Sequence, residues 1–154
     1  MARLQDMSEP QRTHIAETKL PTYDFKPWAQ GPALNRRRVA IVSTAGIHRR
    51  EDRPFSFDPG DHYRVIPGDV KANDLVMSHV STNFDRIGFQ QDLNIVFPLD
   101  RLNELAASND IGSVAKYHYS FMGAASPETM EPSARDLAKM LLKDKVDALL
   151  LVPV

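Results

Sequence analysis

Cysteine is absent from all 154 residues, which excludes disulfides and thiolate metal sites within them. Glycine is sparse, at seven residues, and forms neither a phosphate loop nor a dinucleotide fingerprint. The chain has no Gly-x-Ser-x-Gly elbow, no His-Glu-x-x-His and no His-x-His, so the commonest nucleophile and zinc signatures are missing as well. No apolar run approaches the roughly twenty residues that cross a bilayer as a helix. The first ten residues, Met1 to Pro10, lack the apolar core of a signal peptide, and the expectation is a cytoplasmic protein with no membrane association. Net charge of one sign is also lacking: 19 Lys and Arg face 20 Asp and Glu. That balance conceals a local excess, since Arg36, Arg37, Arg38, Arg49, Arg50 and Arg53 crowd one short stretch. Without aromatic interleaving or a binding motif, this stretch reads as a solvated face and not as a nucleic-acid site.

What is present reads as an α/β chain, a mostly parallel sheet flanked by helices. Residues 1–37 form a polar arm punctuated by Pro10, Pro21, Pro27 and Pro32, which forbid one long helix. Residues 38–154 form the α/β domain. Val39 to Ser43 is a short apolar run of the kind buried on both faces of a parallel sheet, followed by the small residues Thr44, Ala45 and Gly46. Ile47 to Asp74 reads as loop, with a strand at Tyr63–Pro67. Asn94–Pro98 is a second short strand candidate. Asp100 caps a helix through Leu102, Leu105 and Ala106, stopped at Asn109 to Gly112. A further helix is predicted from Ser133, with Ala134, Leu137, Ala138, Leu141 and Leu142 on one face. Val146–Val154 then reads as a buried terminal strand, so the sheet is expected to be incomplete at its C-terminal side.

The candidate chemistry lies in loops. Thr44, Asp52, His79, Asp85, Asp92 and Arg101 are residue types that hold and orient a charged substrate. Arg101, just inside a helix led by Asp100, fits an ion pair as well as a substrate clamp. The five histidines, His14, His48, His62, His79 and His118, invite a metal reading, with His48, Asp52 and His62 or His79, Asp85 and Asp92 as ligand types. Their spacing matches no zinc motif, and the expectation is no bound metal.

Taken in order, several segments resemble the glycine/sarcosine/betaine/D-proline reductase selenoprotein B family, and its short D-proline reductase subunit most closely. They are Thr44-Ala45-Gly46-Ile47, Asp52-Arg53-Pro54-Phe55, Gly60 to Pro67, Ser78-His79, Asp92 to Leu102, Ile111-Gly112 and His118 to Gly123. The resemblance runs from about Arg38 to Val154. It implies reductive cleavage of a carbon–nitrogen bond in a D-proline, glycine, sarcosine or betaine type substrate, by a subunit of a hetero-oligomer. It implies a selenocysteine or cysteine immediately after Val154 and a pyruvoyl group on a partner subunit, with no cofactor held by residues 1–154 themselves. In the mechanism so implied, the carbonyl group draws electrons from the substrate, a selenolate attacks the α-carbon and expels the amine, and a thiol resolves the selenoether.

The expectation is therefore a chain truncated one residue before its nucleophile, as misreading of a selenocysteine codon would produce. On this reading His79 passes a proton to the leaving amine and Asp85 or Asp92 orients it, while Thr44, Gly46, Asp52, Asp92 and Arg101 bind substrate. The alternatives are a non-catalytic binding or scaffold subunit that lacks the nucleophile and a metal-dependent hydrolase using His48, His62 or His79.

Overall fold

A computed structural model describes residues 4–19, 22, 24–56, 58, 60–80, 86–123 and 125–154. The chain divides into two units, residues 1–30 and 31–154. In the first, α1 (Glu9–Glu17) follows Ser8, whose N–H donates to Gln11 Oε1 at 3.4 Å. Pro10 sits in the first turn of α1, where its missing N–H costs no helical hydrogen bond.

The second unit is built around β1 (Arg38–Ser43). It continues through β2 (Ile47–Arg49), β3 (Tyr63–Pro67), β4 (Leu75–Met77), α2 (Ile87–Gln91), α3 (Leu99–Ala107), β5 (Ser113–Val114), β6 (Tyr117–Phe121), α4 (Pro127–Lys143) and β7 (Ala148–Val152). Along one side of β1, β7 runs parallel from Val39↔Ala148 to Ser43↔Val152. On the other, β5 pairs with the start of β1 and β6 with its end, both parallel, and β3 lies antiparallel against β6. β2 and β4 form a separate antiparallel pair.

The alternation of β1 explains the two-layered core. Val39 and Ile41 join a cluster with Leu99 and Leu102 of α3, whereas Ala40 joins Tyr119, Phe121 and the α4 residues Leu137 and Leu141. With both faces covered, a continuous apolar run is what β1 requires.

Between β5 and β6 the ladder breaks. Val39 O still accepts from the Ala115 N–H at 2.9 Å, but the Ile41 N–H finds a side chain, donating to His118 Nδ1 at 2.9 Å. A buried backbone donor needs a partner, so the polar His118 belongs in the core. Ser120, also fully buried, does the same for the Ile47 N–H at 2.8 Å.

Several expectations are corrected. Asn94–Pro98 is no strand: Asp92 Oδ1 accepts the Asn94 N–H at 2.9 Å and turns Leu93–Ile95 into a 3-10 helix. Pro98, not Asp100, is the cap position of α3, with Asp100 inside the first turn. α4 begins at Pro127, behind Ser126 and with proline at its start, so Ser133 is interior; only Leu137 and Leu141 of its predicted face are buried, and Leu142 is exposed. β2 lies in a stretch read as loop. The terminal strand is real but not buried. β7 pairs with β1 alone among the described residues, so Ala148 and Val152 pack inward while Leu149, Leu150 and Leu151 are exposed.

Asp144, just past α4, ties the amino-terminal edge of the sheet together. It accepts from Arg38 Nη2 and from the Lys116 N–H, each at 2.7 Å. Burial works against its ionisation, yet Arg38 and the backbone donors outweigh it and hold the carboxyl below its usual range. Asp144→Ala removes the carboxylate acceptor of Arg38 Nη2 and of the Lys116 N–H, while Arg38 keeps its bonds to the Asp144 and Val114 carbonyls. The substitution is expected to cost about 2 kcal/mol in urea denaturation.

Candidate functional site

The carboxyl ends of the parallel strands converge on the residues after β1. Thr44 N–H donates to Val152 O at 3.1 Å, and Thr44 Oγ1 accepts the Val154 N–H at 2.8 Å. On its other side, the Thr44 carbonyl accepts the Gly123 N–H at 3.2 Å. A Cβ on Gly123 would lie 2.7 Å from Thr44 Cβ, so only glycine permits this approach. Ala45 bridges to Met122.

Gly46 then turns the chain with φ +63°, donating to Phe121 O at 2.9 Å and accepting from Ser78 N–H at 3.0 Å. A Cβ there would stand 2.9 Å from His79 Cα. His79 is thus packed directly behind Gly46, with only 5% of its surface exposed. Its carbonyl accepts from Arg86 Nη2 at 2.7 Å. Thr44, Gly46, His79 and the β7 terminus are brought together at this edge, where open α/β sheets place their ligands.

The remaining candidates are engaged elsewhere. Asp52 accepts from the Arg49 backbone N–H at 3.1 Å and from Arg49 Nη2 at 2.8 Å. Burial opposes its ionisation, but the Arg49 bonds prevail and hold its carboxyl low. Asp92 caps the turn at Leu93–Ile95. Arg101 pairs with Glu104 at 2.7 Å on the exposed face of α3, with 59% of its side chain exposed. Asp85 lies outside the described residues. Among the described residues no three His, Asp or Glu side chains gather as a metal site would require.

In sequence, His62 stands out only as a metal ligand type. The β3–β6 pairing carries it to this same edge: its carbonyl accepts the Met122 N–H at 3.1 Å, and Nδ1 lies 2.9 Å from Ser133 Oγ on α4. No spacing signal reveals this, because it depends on a pairing across more than fifty residues of chain.

Residues 10–154 match the family described as Glycine/sarcosine/betaine reductase selenoprotein B (GRDB). The chain belongs to this family. The match begins well before Arg38, so it takes in most of the arm as well. Among curated proteins, the chain is 34% identical over 120 residues to the D-proline reductase subunit gamma of Acetoanaerobium sticklandii, covering 77% of this chain and 49% of that protein. It is 30% identical over 144 residues to the Sarcosine reductase complex component B subunit beta of Peptoclostridium acidaminophilum, covering 88% of this chain and 32% of that one. The chain thus spans about half or less of the length of these relatives. No solved structure matches it significantly. As a member of the selenoprotein B family the chain is related to subunits of reductase complexes, and its sheet edge, from Thr44 to His79 and Gly123, lies wholly inside the matched region.

Proposed function

We propose that this chain supplies the substrate-facing sheet edge of a subunit that, in complex with a partner, reductively cleaves a carbon–nitrogen bond of a D-proline, glycine, sarcosine or betaine type substrate in the cytoplasm. The observation that carries this reading is the end of β7. Val154 is held by Thr44 on the edge formed by Gly46 and His79, so a residue following it would emerge where the family's nucleophile belongs.

A selenolate or thiolate after Val154 and a carbonyl group on the partner subunit would supply nucleophilic attack and electron withdrawal. No helix among the described residues is long and apolar enough to cross a membrane. The chain's own residues position and shield. Gly46, without a side chain, lets His79 pack directly against its backbone and so fixes where His79 stands at the edge. His79, largely shielded from water beside Gly46, passes a proton to the departing amine. Cleavage consumes two electrons and two protons overall, converting C–N to C–H and N–H; the electrons come from an external dithiol, and the proton on nitrogen passes through His79.

The test uses the full-length chain assembled with its partner. Thiol-dependent release of amine, or ring opening for D-proline, is expected, and substrate should protect the complex against alkylation by iodoacetamide. An assembled complex that binds these substrates without cleaving any would favour the scaffold reading instead.

A further inference from the structure

The last rung of the β1–β7 ladder is made by a side chain where backbone would ordinarily serve. Ser43 pairs with Val152, and Thr44 N–H continues the parallel pattern by donating to Val152 O at 3.1 Å. The regular next bond would run from the Val154 N–H to the Thr44 carbonyl. That carbonyl is occupied on the β6 side by the Gly123 N–H at 3.2 Å. The Val154 N–H goes instead to Thr44 Oγ1 at 2.8 Å, and the same hydroxyl lies 3.4 Å from Val154 O. Pro153 has no N–H to contribute, so the backbone beyond Val152 is fixed to β1 by this hydroxyl. Thr44 is β-branched, and its restricted χ1 makes the hydroxyl a rigid post.

We infer that Thr44 is a positioning residue: its hydroxyl draws the strand end off the regular ladder and sets the course of the chain past Val154, hence the placement of a nucleophile there. This deepens the proposed function and rests on it. It also gives Thr44 a role other than substrate ligand, because its hydroxyl is spent on Val154. Gly123 is part of the device, since a side chain at that position would push Thr44 away.

Thr44→Val keeps shape and strand propensity but removes the hydroxyl, and Thr44→Ser keeps the hydroxyl on a freer side chain. In the full-length chain within its complex, the valine variant should speed hydrogen exchange at the Val154 amide by at least about 10-fold. Its kcat should fall by about 10- to 100-fold with KM nearly unchanged, as a misplacement of roughly 1 Å does. The rate of iodoacetamide reaction at the residue after Val154 should change in parallel. The serine variant should recover most of each effect, and the urea midpoint should move little in either. Unchanged Val154 exchange in Thr44→Val would overturn the inference, as would a rise in KM with kcat intact, which would return Thr44 to the substrate. If the unmodified complex cleaves no C–N bond, the functional reading fails, while the exchange and alkylation results still decide the role of Thr44.

Discussion

Lowering the pH from 6.5 to 4 is expected to remove about 3 kcal/mol of folding stability through one imidazole, that of His118. The ring is fully buried, and burial pushes its pKa down from the usual 6.5 to about 4; Asp144 opposes the shift and Arg38 assists it. The folded state therefore resists a proton that the unfolded chain accepts. The contribution is complete above pH 6.5, is lost as the pH falls from 6.5 toward 4, and changes no further below that. Geometry demands the same neutral form, because Nδ1 must stay bare to accept the Ile41 N–H at 2.9 Å. Urea unfolding followed by circular dichroism across this range should show the slope.

His118→Asn places Oδ1 near the same acceptor position without a titrating group and should flatten that slope. His118→Ala removes acceptor and volume together and should cost about 3 to 5 kcal/mol at pH 7, from an orphaned buried donor plus a cavity. A pH-independent midpoint in the unaltered chain would refute the assignment. Asp61 titrates in a separate window. The Arg64 guanidinium, aided by Ser56, holds its carboxyl at about 2 against the opposing effect of burial, so its contribution is lost only as the pH falls below about 4.

Gly46→Ala should cause the largest loss at the site itself. A left-handed backbone costs a non-glycine residue about 1 to 2 kcal/mol. The new Cβ would also stand 2.9 Å from His79 Cα, where the obstacle is backbone and not a flexible side-chain tip. Ser78 N–H, bonded to the Gly46 carbonyl at 3.0 Å, would be dragged along. Together these predict a stability loss of about 2 to 4 kcal/mol and, from displacement of His79, a fall in turnover of the assembled complex of roughly 100-fold. Gly60→Ala is the matched control. Its φ is +90°, but nothing lies within 4 Å of the added carbon, so it should show strain of about 1 kcal/mol and full activity. Equal behaviour of the two variants would mean that close packing of Gly46 on His79 does not matter.

The sheet was legible in sequence where apolar runs carry it. β1 stands within a residue of its predicted limits, because a strand covered on both faces must be continuously apolar, and the partly exposed β3, with Arg64 inside it, matches its predicted limits through the strand-forming residues Tyr63, Val65 and Ile66. β6 escaped notice since Tyr117–Phe121 holds His118 and Ser120, and nothing local tells that each answers a backbone N–H on a neighbouring segment. The β7 leucines announced a strand but could not say whether a neighbour covers them. At the candidate site, the small residues after β1 mark the point where the chain leaves the strand at the carboxyl edge of the sheet, as expected of the first strand-to-loop crossing. The other charged candidates stand out in sequence by type alone. Type does not separate a substrate ligand from a local ion pair, although the three-residue spacings of Arg49 with Asp52 and Arg101 with Glu104 carried that signal. His62 became visible as part of the edge only through the β3–β6 pairing.

Under the proposed function, this edge presents a nucleophile following Val154. The most direct test is the intact mass of the protein isolated from its native cells by an antibody against residues 1–154. The account predicts a product extending past Val154, with the isotope pattern of selenium or with cysteine as the next residue. A product ending at Val154, or continuing with a residue that is neither, would contradict it and leave binding without catalysis as the role of this chain.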